Sequence, residues 1–105
     1  METPNLKYIK KISEGDLDFE ESLLNIITEE FPKEYATFIE KFNNKDYEES
    51  ANNVHKIKHK ISLLGLEKGL ALASVFEKDL KNGNTELYQD FINVLHKIHV
   101  YLEDY

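Results

Sequence analysis

The chain has 105 residues, 31% of them charged and 41% hydrophobic, with four glycines, two prolines and no cysteine. Residues 1–105 therefore make one small domain with a single core, and disulfides, thiolate chemistry and a cysteine-based zinc site are excluded. A net charge of −7 speaks against nucleic acid or an anionic membrane as partner, and the scarcity of Gly and Pro favours an all-helical domain.

A short helix is predicted over residues 5–13, with Leu6, Ile9 and Ile12 on its apolar side and Ser13-Glu14-Gly15 as its exit. Asp16 or Asp18 caps the next element, whose apolar positions Phe19, Leu23, Leu24, Ile26, Ile27 and Phe31 recur at helical spacing. Pro32 removes one backbone donor, so this element is expected to kink there or restart. Tyr35, Phe38, Ile39 and Phe42 continue an apolar face as far as Asn43-Asn44. Asp46, with Glu49 three residues on, has the form of a capping box for a third helix ending at Leu64-Gly65. A tight connection leads to a helix over 66–82, and Asn82-Gly83-Asn84 makes the next turn. Asn84 or Thr85 then caps a final helix with Leu87, Phe91, Val94, Leu95, Ile98 and Leu102 facing inward. Short loops between long helices make neighbours antiparallel. The expected fold is an up-down four-helix bundle with the short N-terminal helix as a lid.

No apolar run approaches membrane-spanning length, and Met1-Glu2-Thr3-Pro4-Asn5 lacks the basic-then-apolar order of a signal peptide, so a cytoplasmic location is expected. There is no glycine-rich phosphate loop and no GxSxG elbow. Most of the aromatic residues fall at core spacing, with Tyr101 and Tyr105 as exceptions.

Chemistry concentrates on the third helix, in His55-Lys56-Ile57-Lys58-His59-Lys60-Ile61-Ser62. At about 100° per residue, His55 lies at the edge of the stripe formed by Tyr47, Ala51, Val54, Ile57 and Ile61, with Lys58, His59 and Ser62 near its azimuth. The segment from His55 to Lys68 carries four lysines against one glutamate, a local +3 on a remainder of −10. On the following helix Glu77 falls inside the core stripe of Leu66, Gly69, Leu70, Ala73, Phe76 and Leu80, where a carboxylate needs a donor. His55 is 10 positions before Gly65 and Glu77 is 12 after it, so a hairpin turning at Gly65 brings the two together. A carboxylate accepting from Nδ1–H would leave Nε2 as the nucleophilic nitrogen. The other reading is that Glu77 pairs with Lys58 and only satisfies the core. His55 and His59 are also an i, i+4 pair able to chelate zinc or copper, and His96 and His99 form an i, i+3 pair. Without HExxH and with Glu77 as the sole evident third ligand, no resident metal is expected.

The spacing resembles the histidine-containing phosphotransfer (HPt) domain, whose signature is H-x-[LI]-K-G followed by a second glycine six residues after the first. His55, Ile57, Lys58 and Gly65 match, and His59 stands where the family has its first glycine. Helix order and loop positions extend the resemblance over nearly the whole chain. It implies a phosphorelay carrier in two-component signalling, a monomer that accepts and donates a phosphoryl group on His55 and has no catalysis or cofactor of its own. Its partners would be a response regulator receiver domain or a hybrid histidine kinase, the receiver bringing the acidic pocket and divalent metal. Lys58 would offset phosphoryl charge, and Glu77 stands where several family members have Glu or Gln. Lys56, Lys60 and Lys68 read as solubility and steering charges. His59 either assists or hinders docking, and a module that binds receivers without transferring phosphate is the alternative.

Overall fold

The computed structural model describes residues 2–104, so Met1 and Tyr105 lie outside the described residues. Five helices account for most of it: α1 (Lys7–Ser13), α2 (Leu17–Asn43), α3 (Tyr47–Leu63), α4 (Glu67–Lys81) and α5 (Tyr88–Glu103). The fold is all-helical, and no described helix is long and apolar enough to cross a membrane.

Local chemistry explains the boundaries. Asp16, not Asp18, caps α2, its Oδ1 accepting from the Phe19 amide at 3.0 Å. Asp46 caps α3 through the Glu49 amide at 3.2 Å. Glu49 does not complete a capping box, because the Asp46 amide that it would take already donates to the Lys41 carbonyl at 2.9 Å. At Pro32 the helix runs on instead of restarting, with Thr28 and Pro32 on the solvent face, where water can satisfy the carbonyl that proline leaves without a donor. The last helix begins later than its sequence suggests. Asn84 Oδ1 accepts from the Glu86 amide at 2.9 Å, forming a local turn, and α5 starts at Tyr88 with neither Asn84 nor Thr85 as its cap.

The core is built from one stripe of each long helix, including Phe31 and Phe38 of α2, Val54, Ile57 and Ile61 of α3, Phe76 of α4, and Phe91, Leu95 and Ile98 of α5. Phe38 occupies its centre, with ring centroids 5.2 Å from Phe91 and 6.1 Å from both Phe76 and Tyr88. Such mixed edge-on and offset aromatic pairs add to the area that they bury. Tyr101 packs against the same core.

The 27 residues of α2 span about 40 Å at 1.5 Å per residue, close to the 43 Å long axis of the molecule. Lys60 near the end of α3 meets Glu30 and Glu34, so α2 residues before about 27 pass beyond the α3–α4 turn. This is why Phe19, read as a core position from its spacing, is about half exposed, whereas Ile26, read likewise, is about half exposed because it points about 100° away from the fully buried Ile27. Ile12 on α1 is likewise 40% exposed, while Ile9 is fully buried.

The segment before α1 closes the end where α3 turns into α4. The Asn5 amide donates to the Leu64 carbonyl at 2.9 Å. Glu2 accepts from the amides of Lys68 and Gly69 at 2.8 and 2.9 Å, capping α4, whose own N-cap residue Leu66 offers no side-chain acceptor. Gly65 makes the close approach possible. Its φ is +76°, and a Cβ there would sit 2.8 Å from the Asn5 side chain. Gly83 has the same φ with nothing within 4 Å, so it isolates the backbone strain. Gly83→Ala is expected to cost about 1–2 kcal/mol for the left-handed conformation, and Gly65→Ala more than that. Urea melts of the two variants measure the difference, and equal losses would show that the Asn5 contact contributes nothing.

Candidate functional site

His55 lies on α3, eight residues before its end at Leu63, and Glu77 lies on α4. The three-residue connection Leu64-Gly65-Leu66 and the buried contact face of the hairpin, where Gly69 packs beside Ile61 and Val94, leave the helices close enough for them to meet. His55 Nδ1 is 3.3 Å from Glu77 Oε2 and 3.4 Å from Oε1. Both distances are longer than an ideal hydrogen bond, so the carboxylate orients the ring without clamping it. Lys58 Nζ donates to Oε1 at 3.1 Å, and Lys81 Nζ stands 3.7 Å from Oε2. The His55–Glu77 and Lys58–Glu77 readings, set apart by the sequence, are therefore both realised on one carboxylate.

Burial differs sharply across the cluster. The Glu77 side chain is 14% exposed and that of His55 60%. Burial pushes the Glu77 carboxyl up, but hydrogen bonds from Lys58 and His55, with the charges of both, outweigh it and hold the group below the ordinary carboxylate range. Glu77 is thus an anion, and with Lys58 and Lys81 it leaves the cluster at +1 with His55 neutral. No group on the described residues holds Nε2, which is left open to an incoming electrophile.

His59 is exposed one turn along α3. Its ring centroid is 5.9 Å from that of His55, with the planes at 85°, so it stands edge-to-face beside the site without reaching Glu77. Among the described residues no group of three or more His, Asp or Glu side chains is arranged to hold a metal ion, so His55, His59 and Glu77 do not converge on one point. His96 and His99 diverge as well, His99 turning to Glu103 at 2.7 Å and to the edge of Tyr35.

The basic segment is less free than its sequence suggests. Lys60 is buried, its Nζ held by Glu30 at 2.6 Å and Glu34 at 3.3 Å, and it cannot steer a partner. Burial pulls its ammonium down, but the hydrogen bond to Glu30 and the charge of Glu34 overcome this and hold it above the ordinary lysine value. Lys56 and Lys68 remain exposed. Lys81 escaped the sequence reading, although its signal was present: it follows Glu77 at i+4, the favourable order for a helical ion pair. A depression of about 660 Å³ lined by Lys45, Tyr47, Asn52 and Leu80 shares Lys81 with the cluster but not His55, which stands on open surface.

No family model, curated protein or solved structure matches the chain. What the site can do must be read from its own geometry. A neutral imidazole with Nδ1 on a carboxylate, Nε2 open and cations within one turn can attack an electrophile that carries negative charge, or take up a proton. Because Glu77 is held below its ordinary value, its contribution to stability is present above the carboxyl value of the unfolded chain and is lost as pH falls through its own lower value. Glu77→Gln should therefore be less stable than the wild-type protein at pH 7, with the two converging in thermal melts taken toward pH 3. Parallel curves would mean that the carboxylate gains nothing from its partners.

Proposed function

We propose that the protein is a phosphotransfer carrier of the HPt type, an up-down antiparallel four-helix bundle whose His55 receives a phosphoryl group and passes it on. One observation supports this most: an exposed imidazole has its Nδ1 on the near-buried carboxylate of Glu77 and its Nε2 directed away from any protein partner among the described residues. In the forward step the Nε2 lone pair attacks phosphorus of an aspartyl phosphate. The N–P bond forms, the acyl O–P bond breaks, and the carboxylate departs on the receiver domain. The ring, still carrying the Nδ1 proton, becomes cationic, and the Glu77 anion stabilises it where that charge develops. Lys58 supplies charge for the phosphoryl oxygens, and donation to the next receiver reverses each change. The open setting of His55 favours a partner protein over a small substrate. The carrier is a cytoplasmic monomer without catalysis or cofactor of its own. Its partners are receiver domains or a hybrid histidine kinase, with no part for nucleic acid or membrane.

Phosphoramidate, a small phosphodonor, should place an acid-labile, alkali-stable phosphate on the protein, visible by ³¹P NMR. His55→Gln should remove it while leaving helicity and melting unchanged. Label that survives the substitution, or that maps to His59, would overturn the assignment.

The second reading, a module that binds receivers but no longer transfers phosphate, is favoured by the His59 ring 5.9 Å from that of His55. His59→Gly separates the two. It removes an obstacle to close approach at a stability cost of about 1 kcal/mol for glycine inside a helix. Faster transfer from a receiver charged with acetyl phosphate is the expected outcome. Slower transfer at equal folding would make His59 a helper, and no transfer in either protein would favour the binding module.

A further inference from the structure

Glu77 faces more donors than its role at His55 requires. From α3 it meets His55 Nδ1 and Lys58 Nζ, and from its own helix it meets Lys81 Nζ. The two lysines use different oxygens, Lys58 taking Oε1 at 3.1 Å and Lys81 standing off Oε2 at 3.7 Å. Neither has another carboxylate partner among the described residues. They also differ in freedom, the Lys58 side chain being 24% exposed and that of Lys81 58%.

This arrangement conflicts with the chemistry proposed for His55 unless one lysine can replace the other. In the resting protein the Lys58 ammonium is spent on Glu77. When it swings toward a phosphoryl group on Nε2 it loosens or leaves Oε1, taking from a near-buried carboxylate its closest donor. A carboxylate in that position needs a counter-charge, or it turns toward solvent and releases the ring. Besides the ring, which gains its charge only as the N–P bond forms, Lys81 is the remaining cation within reach. Its i, i+4 placement after Glu77 is the favourable order, and its separation of 3.7 Å leaves room to close to a hydrogen bond.

We infer that Lys81 is a positioning residue that takes over Glu77 when Lys58 moves to the phosphoryl group, keeping the carboxylate charged and aimed at His55 Nδ1. The inference rests on the phosphotransfer reading of His55. The lysines then act as an exchangeable pair, one always on Glu77 and the other available to the site.

Two measurements test this on the full chain, using Lys58→Met, Lys81→Met, the double variant and Lys81→Arg. The first is an NMR titration of the His55 ring in resting protein, which needs no phosphate. With exchange, Lys81→Met shifts the His55 midpoint by no more than about 0.2 pH unit while Lys58 is present, but raises it by about 0.5–1 unit in the Lys58→Met background. The second is transfer from phosphoramidate-charged protein to a receiver. Lys81→Met should slow it by about tenfold, the usual scale for losing a group that orients a reacting side chain, and Lys81→Arg should restore it. A Lys81→Met shift that is the same with and without Lys58, in wild-type protein that does take up phosphate, overturns the exchange alone. Failure of the wild-type protein to take up phosphate overturns the reading of His55 and the exchange with it.

Discussion

The connection through Leu64 and Gly65 sets the register of α3 against α4, and register decides which side chains meet. A left-handed residue at φ +76° lets the chain reverse in three positions. Gly69 can then lie against Ile61 with no Cβ between them, and the hairpin's buried stripes face each other along their length. His55 and Glu77 fall at the margin of that contact, about 15 Å from the turn at 1.5 Å per residue. One more residue within α4 ahead of Glu77 would turn it by roughly 100° about the helix and carry it away from the ring.

Lys58 and Lys60 show how this geometry spends charge. Two positions apart, they point to nearly opposite sides of α3, Lys58 toward α4 and Lys60 toward α2. Each crosses to a glutamate on its neighbour. Much of the local positive charge is therefore used to hold helices together, and less of it reaches the surface than the composition implies. The cation available to an incoming anion is set by how readily one of these contacts opens.

Much of this was legible from pattern. The caps at Asp16 and Asp46 involve neighbours three residues away, so local spacing sufficed to propose them. Counting outward from Gly65 was enough to expect His55 beside Glu77, because a tight hairpin converts sequence distance directly into spatial distance. Pairings that depend on a third helix were not legible. Lys60 looked like any solvated lysine until the position of α2 gave it Glu30 and Glu34, and Phe19 looked like core until the overhang of α2 was known. The late start of α5 reflects competition for the Asn84 side chain, which satisfies the Glu86 amide in a turn before the helix begins.

The cap on α4 has a consequence for the order in which the fold completes. Glu2 reaches Lys68 across 66 positions, so the first turn of α4 lacks this acceptor until the segment before α1 has docked. Lys97 of α5 meets the Glu2 carbonyl at 3.3 Å, which ties the same docking event to the last helix. Ordinary caps form with the helix that they end, but this one waits on long-range closure. The amides of Lys68 and Gly69 therefore belong to the opening unit of the N-terminal segment, not to that of α4, and their hydrogen exchange reports how often that segment lifts away while the hairpin beneath stays folded.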